Sequence, residues 1–264
     1  MKVLVIGANG VTATHVIKQL AESNHDPVAM IRDPLHREKF DKLGVPTVLA
    51  DLEYPIDHAV RGCDAIIFAA GSGGKTGKDK TVLIDHIGAI RSMVAAQVNN
   101  VQRYIMLSSI NNDVNSQSPI AHYHRAKAHA DNFLIETDLD YTIVCPGRLT
   151  DDAGSGLVSV TERLSGSGMS SRENVALTLV ACLDNHNTIG KAFSLLEGDT
   201  TVRQVLAEGG DWIDVRGYPD PAGSGKIIAT RLEREDRQDM TGLRGRAESL
   251  AAPRFKIAGV NIET

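Results

Sequence analysis

Residues 1–15 read MKVLVIGANGVTATH, and this stretch decides the fold. Residues 1–6 are an apolar run with β-branched members, short enough for a strand buried on both faces of a parallel sheet. Gly7, Asn9 and Gly10 break the run, and from Val11 onward apolar residues at Val16, Ile17 and Leu20 keep helical spacing. Strand, glycine turn and helix in that order leave unpaired backbone N–H groups at the carboxyl edge of a sheet. The helix start adds partial positive charge, so the stretch is suited to cradle a phosphate. Gly7 permits the tight turn, and Gly10 lets the backbone approach a pyrophosphate with no Cβ in the way. The spacing is G-x-x-G-x-x-A, with Ala13 where a third glycine would only ease helix–strand packing. Asn9, Val11 and Thr12 complete the expected cradle.

The 264 residues suffice for one full α/β domain and a little more. Hydrophobic residues make up 42% and charged ones 23%, as in ordinary globular proteins, and only 4% are aromatic, so the core must be aliphatic. A net charge of −5 argues against nucleic acid as an electrostatic partner. Cys63, Cys145 and Cys182 lie too far apart for a disulfide framework or metal spacing, which suits a reducing compartment. No apolar run is long enough to span a membrane. The expectation is a cytoplasmic enzyme that takes a small-molecule substrate, binds no metal, and works as a monomer or weak homodimer.

Further along, apolar strand-like runs at 27–31, 46–49, 65–70, 103–107 and 141–144 alternate with helical patterns at 35–43, 58–62, 80–99 and 120–137. A helix over 172–185, a strand over 191–196 and a short helix over 201–207 close the series. Such alternation predicts an α/β fold, a Rossmann-type doubly wound parallel sheet covered on both faces. The Gly/Ser-rich stretch 148–168 reads as a mobile lid. From Gly209 short strands separated by turn residues suggest a small all-β C-terminal appendage of two to four strands. The expected domains are therefore 1–208 and 209–264, the second stopping on a strand as an incomplete module would.

The order and spacing of VLVIGANG (3–10), IRDP (31–34), ADLE (50–53), FAAGSGGKTG (68–77), MLSSI (106–110), Tyr123-x-x-x-Lys127 and YTIVCPGRL (141–149) carry a resemblance. Over residues 1–208 the chain resembles the short-chain dehydrogenase/reductase superfamily, and in detail its atypical, NAD(P)H-binding, NmrA-like branch. The tail, with DVRGYPDPAGSGKIIATRLE and LRGRAESLAAPRFKIAGVNIE, resembles an uncharacterised family of small bacterial β modules.

The resemblance implies a dinucleotide at Gly7–Thr12, along Asp51, Leu52, Ala69, Ala70 and Gly71, and near Pro146. Arg32 ends the second strand, where an arginine pairs with the 2′-phosphate and favours NADP(H) over NAD(H). Asp33 follows directly, so the discrimination is expected to be incomplete. Tyr123 and Lys127 are four apart on a predicted helix and so share a face. A phenol titrates at about 10, and a nearby ammonium brings it toward the working pH. By resemblance, Tyr123 protonates the substrate oxygen, Lys127 also holds the ribose hydroxyls, and Ser109, or else Ser108, hydrogen-bonds the substrate carbonyl. His122, His124 and His129 lack the i, i+4 offset of a helical metal site. The loop 71–77 has Lys75-Thr76 but not phosphate-loop spacing, and is expected to close over the nicotinamide ribose. The implied activity is an NAD(P)-dependent oxidoreductase or epimerase acting on a small carbonyl-type or quinone-type substrate. The alternative is a redox sensor that binds dinucleotide without turnover.

The tail supplies no glycine turn and no acid–base pair, so truncation after Glu208 is expected to leave NADPH affinity intact. Titration of both proteins checks this, and a loss beyond tenfold, roughly 1.4 kcal/mol, would show that the tail reaches the site.

Overall fold

The computed structural model describes residues 1–73, 76–162 and 164–206 with their side chains. Residue 207 and the strand segments 213–219, 227–234, 247–251, 254–257 and 260–263 are described by backbone. The chain divides into two compact units, Met1–Leu206 and Ala207–Thr264.

The first unit is built on β1 (Lys2–Ile6), whose alternation sorts its side chains into two cores. Val3 and Val5 face one side and Leu4 and Ile6 the other, all fully buried. Burying each such side chain stabilises the fold by about 1.5–3 kcal/mol. On the valine side lies α1 (Val11–Ala21), which presents Ala13, Val16, Ile17 and Leu20 at helical spacing, with α7 (Arg172–Asp184) packed beside it. Leu4 and Ile6 share the opposite core with Ile84, Met93 and Leu134, contributed by a π-helical segment (Thr81–Gly88), by α5 (Ala89–Val98) and by α6 (Ala121–Ile135). The sequence pattern predicts one α-helix over 80–99; eight residues of it adopt the wider π turn instead.

β2 (Asp26–Ile31), β3 (Thr47–Leu49), β4 (Ala65–Phe68), β5 (Arg103–Leu107), β6 (Asp140–Pro146) and β10 (Lys191–Glu197) join β1 in parallel, in the order β10-β6-β5-β4-β1-β2-β3. β1 pairs with β2 on one edge and β4 on the other, so the connections after β1 and β4 leave in opposite directions. Their parting opens a crevice at the carboxyl ends of the strands, where doubly wound sheets bind ligands.

The stretch expected to be a lid contains two strands. β7 (Arg148–Thr150) pairs with β9 (Met169–Ser171), and β8 (Leu157–Thr161) extends the main sheet antiparallel to β10 and to β11 (Thr200–Thr201). The run Leu157-Val158-Ser159-Val160-Thr161 has strong strand character that outweighs the glycines and serines on either side.

The second unit contains β12 (Ile213–Pro219), β13 (Ile227–Arg234), β14 (Ala247–Ala251), β15 (Arg254–Ile257) and β16 (Val260–Glu263). They form a sheet of their own in the order β12-β13-β16-β15-β14.

Leu4→Ala is expected to cost about 2–5 kcal/mol in denaturant unfolding, because β1 is fully enclosed and the cavity cannot collapse. Leu35→Ala, at an 84% exposed side chain, is expected to stay within about 0.5 kcal/mol in the same measurement.

Candidate active site

The glycine turn is tight because two strand ends meet there. Gly7 has φ +83°, and a Cβ on it would stand 2.6 Å from Ala70 Cα and 2.7 Å from Ala70 N. The Gly10 N–H donates to Gly7 O at 2.9 Å and closes the turn, and a Cβ on Gly10 would crowd that carbonyl at 3.3 Å. No side chain caps α1, and no acidic residue stands in its first turn. The donors of Val11, Thr12 and Ala13 therefore lack intrahelical partners and face no competing carboxylate, which fits a diphosphate. Val11 is exposed at the helix start and Thr12 buried under it.

A cavity of about 450 Å³ lies over this turn, and Gly7, Asn9, Gly10, Arg32, Asp51, Leu52, Ala69, Ala70 and Gly71 line it together. Ser72 and Thr76 of the loop 71–77 line it too, as do His36, Lys80 and Ile84, which did not stand out in the sequence. The described part of the 71–77 loop thus walls the same cavity as Arg32; Gly74 and Lys75 lie outside the described residues. Asp33 turns its carboxylate onto the Leu35 N–H at 2.9 Å, capping the 3-10 turn Pro34–His36. That turn carries α2 (Arg37–Asp41) back over α1. Lys39 then donates to Asn9 Oδ1 at 3.2 Å and Thr14 Oγ1 at 2.7 Å, while His36 Nε2 stands 3.2 Å from Asn9 Nδ2. Burial, and then the charge of Lys18, lowers the Lys39 pKa. The stretch 35–43 reads in sequence as a short charged helix; only the reversal at Asp33-Pro34 brings it to Asn9.

The remaining predicted residues gather outside this cavity, around α6. Tyr123 is half-buried and Lys127, one turn on, is 3% exposed. The Lys127 ammonium donates to Leu107 O at 3.1 Å, stands 3.7 Å from Asp85 Oδ1, and lies 5.8 Å above the Phe68 ring. Burial works to neutralise it, but Tyr123, Asp85, Asp131 and Cys145 outweigh burial and raise its pKa above the ordinary lysine value. Ser108 is buried and donates to Asp131, whereas Ser109 is half-buried and donates to Asn112. Pro146 ends β6, its carbonyl accepting the Ile110 N–H at 3.1 Å. Cys145 is buried near Lys127 and Asp131, and burial pushes its thiol pKa far up, which makes it unreactive. His124 bonds Ser118 at 3.0 Å, and His129 stacks on His86 with centroids 5.0 Å apart.

Asp85, on the π-helical segment, joins the two halves. Its Oδ2 accepts the Ser72 N–H at 2.9 Å from the cavity wall, while its Oδ1 faces Lys127. Asp85 was not a sequence candidate.

A glycine turn of this geometry opening onto such a cavity suits a dinucleotide, and a family model described as NAD(P)H-binding matches residues 7–186. The chain belongs to this NAD(P)H-binding family of atypical short-chain dehydrogenases/reductases. A family relative from Bacillus subtilis (strain 168), named "Uncharacterized sugar epimerase YhfK", is 41% identical over 212 residues, covering 78% of this chain and 99% of that one. A solved structure from Bacillus halodurans, named "Putative NAD-dependent epimerase/dehydratase", is 40% identical with TM-score 0.76, over 79% of this chain and 99% of its own. The oxidoreductase ylbE from Lactococcus lactis is 29% identical with TM-score 0.68, over 78% and 95%. Among the described residues no helix is long and apolar enough to cross a membrane.

Removing one partner of the buried Lys127–Asp85 pair leaves an uncompensated charge, so Asp85→Asn is expected to cost about 3–5 kcal/mol of stability. Lys127 holds its proton more tightly folded than unfolded. Its contribution is complete below the unfolded value of 10.5 and is lost as pH climbs through the higher folded value. Urea unfolding of wild type at rising alkaline pH is expected to show this decline, and Asp85→Asn a shallower one.

Proposed function

We propose that the chain is an NADP(H)-dependent oxidoreductase or epimerase acting on a small substrate with a carbonyl-type or quinone-type centre. The observation that carries the reading is Lys127: buried, kept charged by acidic neighbours, and one helical turn from Tyr123. With that cation on the same helix face, Tyr123 is the group placed to pass a proton to or from a substrate oxygen. Tyr123 is half-buried, so it can meet a substrate on one side and be reprotonated from solvent. Ser109 stands at the end of β5 to position the reacting oxygen. A bound nicotinamide dinucleotide supplies or takes up the hydride. The names of the two relatives at 40% identity or above favour epimerisation by transient oxidation as the form this chemistry takes. Arg32 lies exposed in the cavity wall, and Asp33 is occupied by Leu35 N–H, so the arginine is the group free to meet a 2′-phosphate.

A second reading is a redox sensor without turnover. In its favour, the Lys127 ammonium is already engaged by Leu107 O and Asp85.

NADPH consumption over a panel of quinones, aldehydes and ketones separates the two. The enzyme reading expects Tyr123→Phe to lower kcat by about 10²–10⁴-fold with cofactor affinity unchanged. No turnover by wild type with any acceptor supports the sensor. Arg32→Ala is expected to weaken NADPH binding by about 10–100-fold and to leave NADH nearly unaffected, as loss of a charge-assisted contact would. Equal effects on both cofactors would remove the assignment of Arg32.

A further inference from the structure

Four side chains around the carboxyl end of β5 form a hydrogen-bonded chain whose direction is forced. Asp131 of α6 is buried, and its Oδ2 accepts from Ser108 Oγ at 2.5 Å and from Asn112 Nδ2 at 2.9 Å. Asn112 Nδ2 also donates to Ser108 Oγ at 2.7 Å. An ionised carboxylate can only accept, so the amide nitrogen is the end turned to Asp131. The Asn112 carbonyl is therefore left facing Ser109, whose hydroxyl donates to Oδ1 at 2.8 Å. Ser109 has one proton to give. With it turned to Asn112, Ser109 offers only lone pairs to the site: it can accept from a hydroxyl but cannot donate to a carbonyl.

A proton on Asp131 Oδ2 reverses the chain. The carboxyl then donates to Ser108 Oγ, and the Ser108 hydroxyl turns to Asn112, whose amide flips to receive it. Asn112 Nδ2 now donates to Ser109, which frees the Ser109 proton for a carbonyl oxygen. One proton comes from solvent, and only O–H rotations and one amide flip follow; no bond between heavy atoms changes. The competing place for the proton is Oδ1, which is buried with no hydrogen-bond partner. A proton there would be an orphaned donor, whereas an under-satisfied carbonyl oxygen is the better tolerated defect.

We propose that Asp131, acting through Ser108 and Asn112, is a positioning residue that sets whether Ser109 accepts from a substrate hydroxyl or donates to a substrate carbonyl. The site would then receive an alcohol when Asp131 is ionised and a ketone when it is protonated, the two forms that an epimerisation by transient oxidation must hold in turn. The inference rests on the reading of Ser109 as a contact to the substrate oxygen. Lys127, one turn earlier on α6, and the Cys145 thiol of β6 are the titratable groups facing Asp131; behind Lys127 stand Asp85 of the π-helical segment and Tyr123. Burial raises the Asp131 pKa, against the opposing pull of Ser108, Asn112 and Lys127.

The full chain, isotope-labelled, is to be followed by NMR from about pH 4 to about pH 9. Below the Asp131 midpoint the Asn112 amide protons are expected to show cross-peaks to Ser109, and above it to Ser108, since the direct bond to Asp131 alone would shift the signals without turning the amide. In Ser108→Ala the amide is expected to keep one orientation throughout, and the Asp131 midpoint to rise, since a bond holding it down is gone. A wild-type amide that keeps one orientation through the Asp131 titration, or an Asp131 that does not titrate in the window, overturns the proposal. A second arm measures NADPH oxidation with phenanthrenequinone. Wild-type kcat is expected to fall about tenfold per pH unit above the Asp131 midpoint. Asp131→Asn, a permanent donor to Ser108, is expected to flatten that limb with KM for NADPH unchanged. Persistence of the limb in Asp131→Asn overturns the proposal. Absence of wild-type turnover strikes at the proposed function instead, and the NMR arm still decides the relay.

Discussion

The contact between Gly7 and the backbone of Ala70 is the constraint on which the site depends. Two neighbouring parallel strands, β1 and β4, end against each other there, with 2.6 Å between Ala70 Cα and the place a Cβ on Gly7 would take. Only a residue without a side chain, at φ +83°, lets the chain turn at once and start α1 above the sheet edge. The turn, through Gly7, Asn9 and Gly10, then opens onto the cavity that Arg32, Asp51 and Ala70 also line. Because the strands beneath are parallel and buried on both faces, the turn rests on a rigid base.

A second feature ties this base to the chemistry. Asp85 receives an N–H from the cavity wall with one oxygen and faces the Lys127 ammonium with the other. Lys127 in turn holds the carbonyl of Leu107, the last residue of β5, after which Ser108 and Ser109 follow. Burying two charges is costly, and a packed apolar pair would often be as stable. Their retention is intelligible if position and charge at Lys127 matter more than stability. The same argument covers Asp131, buried among Ser108, Asn112 and Lys127 with one oxygen unbonded. Such a group costs stability, because part of its hydrogen-bonding capacity goes unmet.

The sequence by itself determined the sheet, the cofactor class and much of the cavity. Apolar runs too short for helices, set between helical patterns, allow little besides a doubly wound sheet, and Gly7 and Gly10 mark its tight first turn. Arg32, Asp51 and Ala70 were legible because each ends a strand, and strand ends in this topology converge on one crevice. β8 was hidden because its five residues lie between glycines and serines that read as loop, for all their own strand character.

What only the tertiary structure decided are the partners brought together from distant parts of the chain. Asp85 reads in sequence as one acidic residue on a helix; it becomes the link between Ser72 and Lys127 because the π-helical segment packs against α6. Lys39 reaches Asn9 only because Asp33 caps a turn that reverses the chain. Ser108 and Ser109 are adjacent and chemically identical, yet one is buried on Asp131 and the other half-buried beside Asn112. Successive residues at a strand end point to opposite sides, and which side is core and which is site depends on the helices packed there. Local periodicity fixes elements, and the direction of a hydrogen bond between elements is fixed only by their packing.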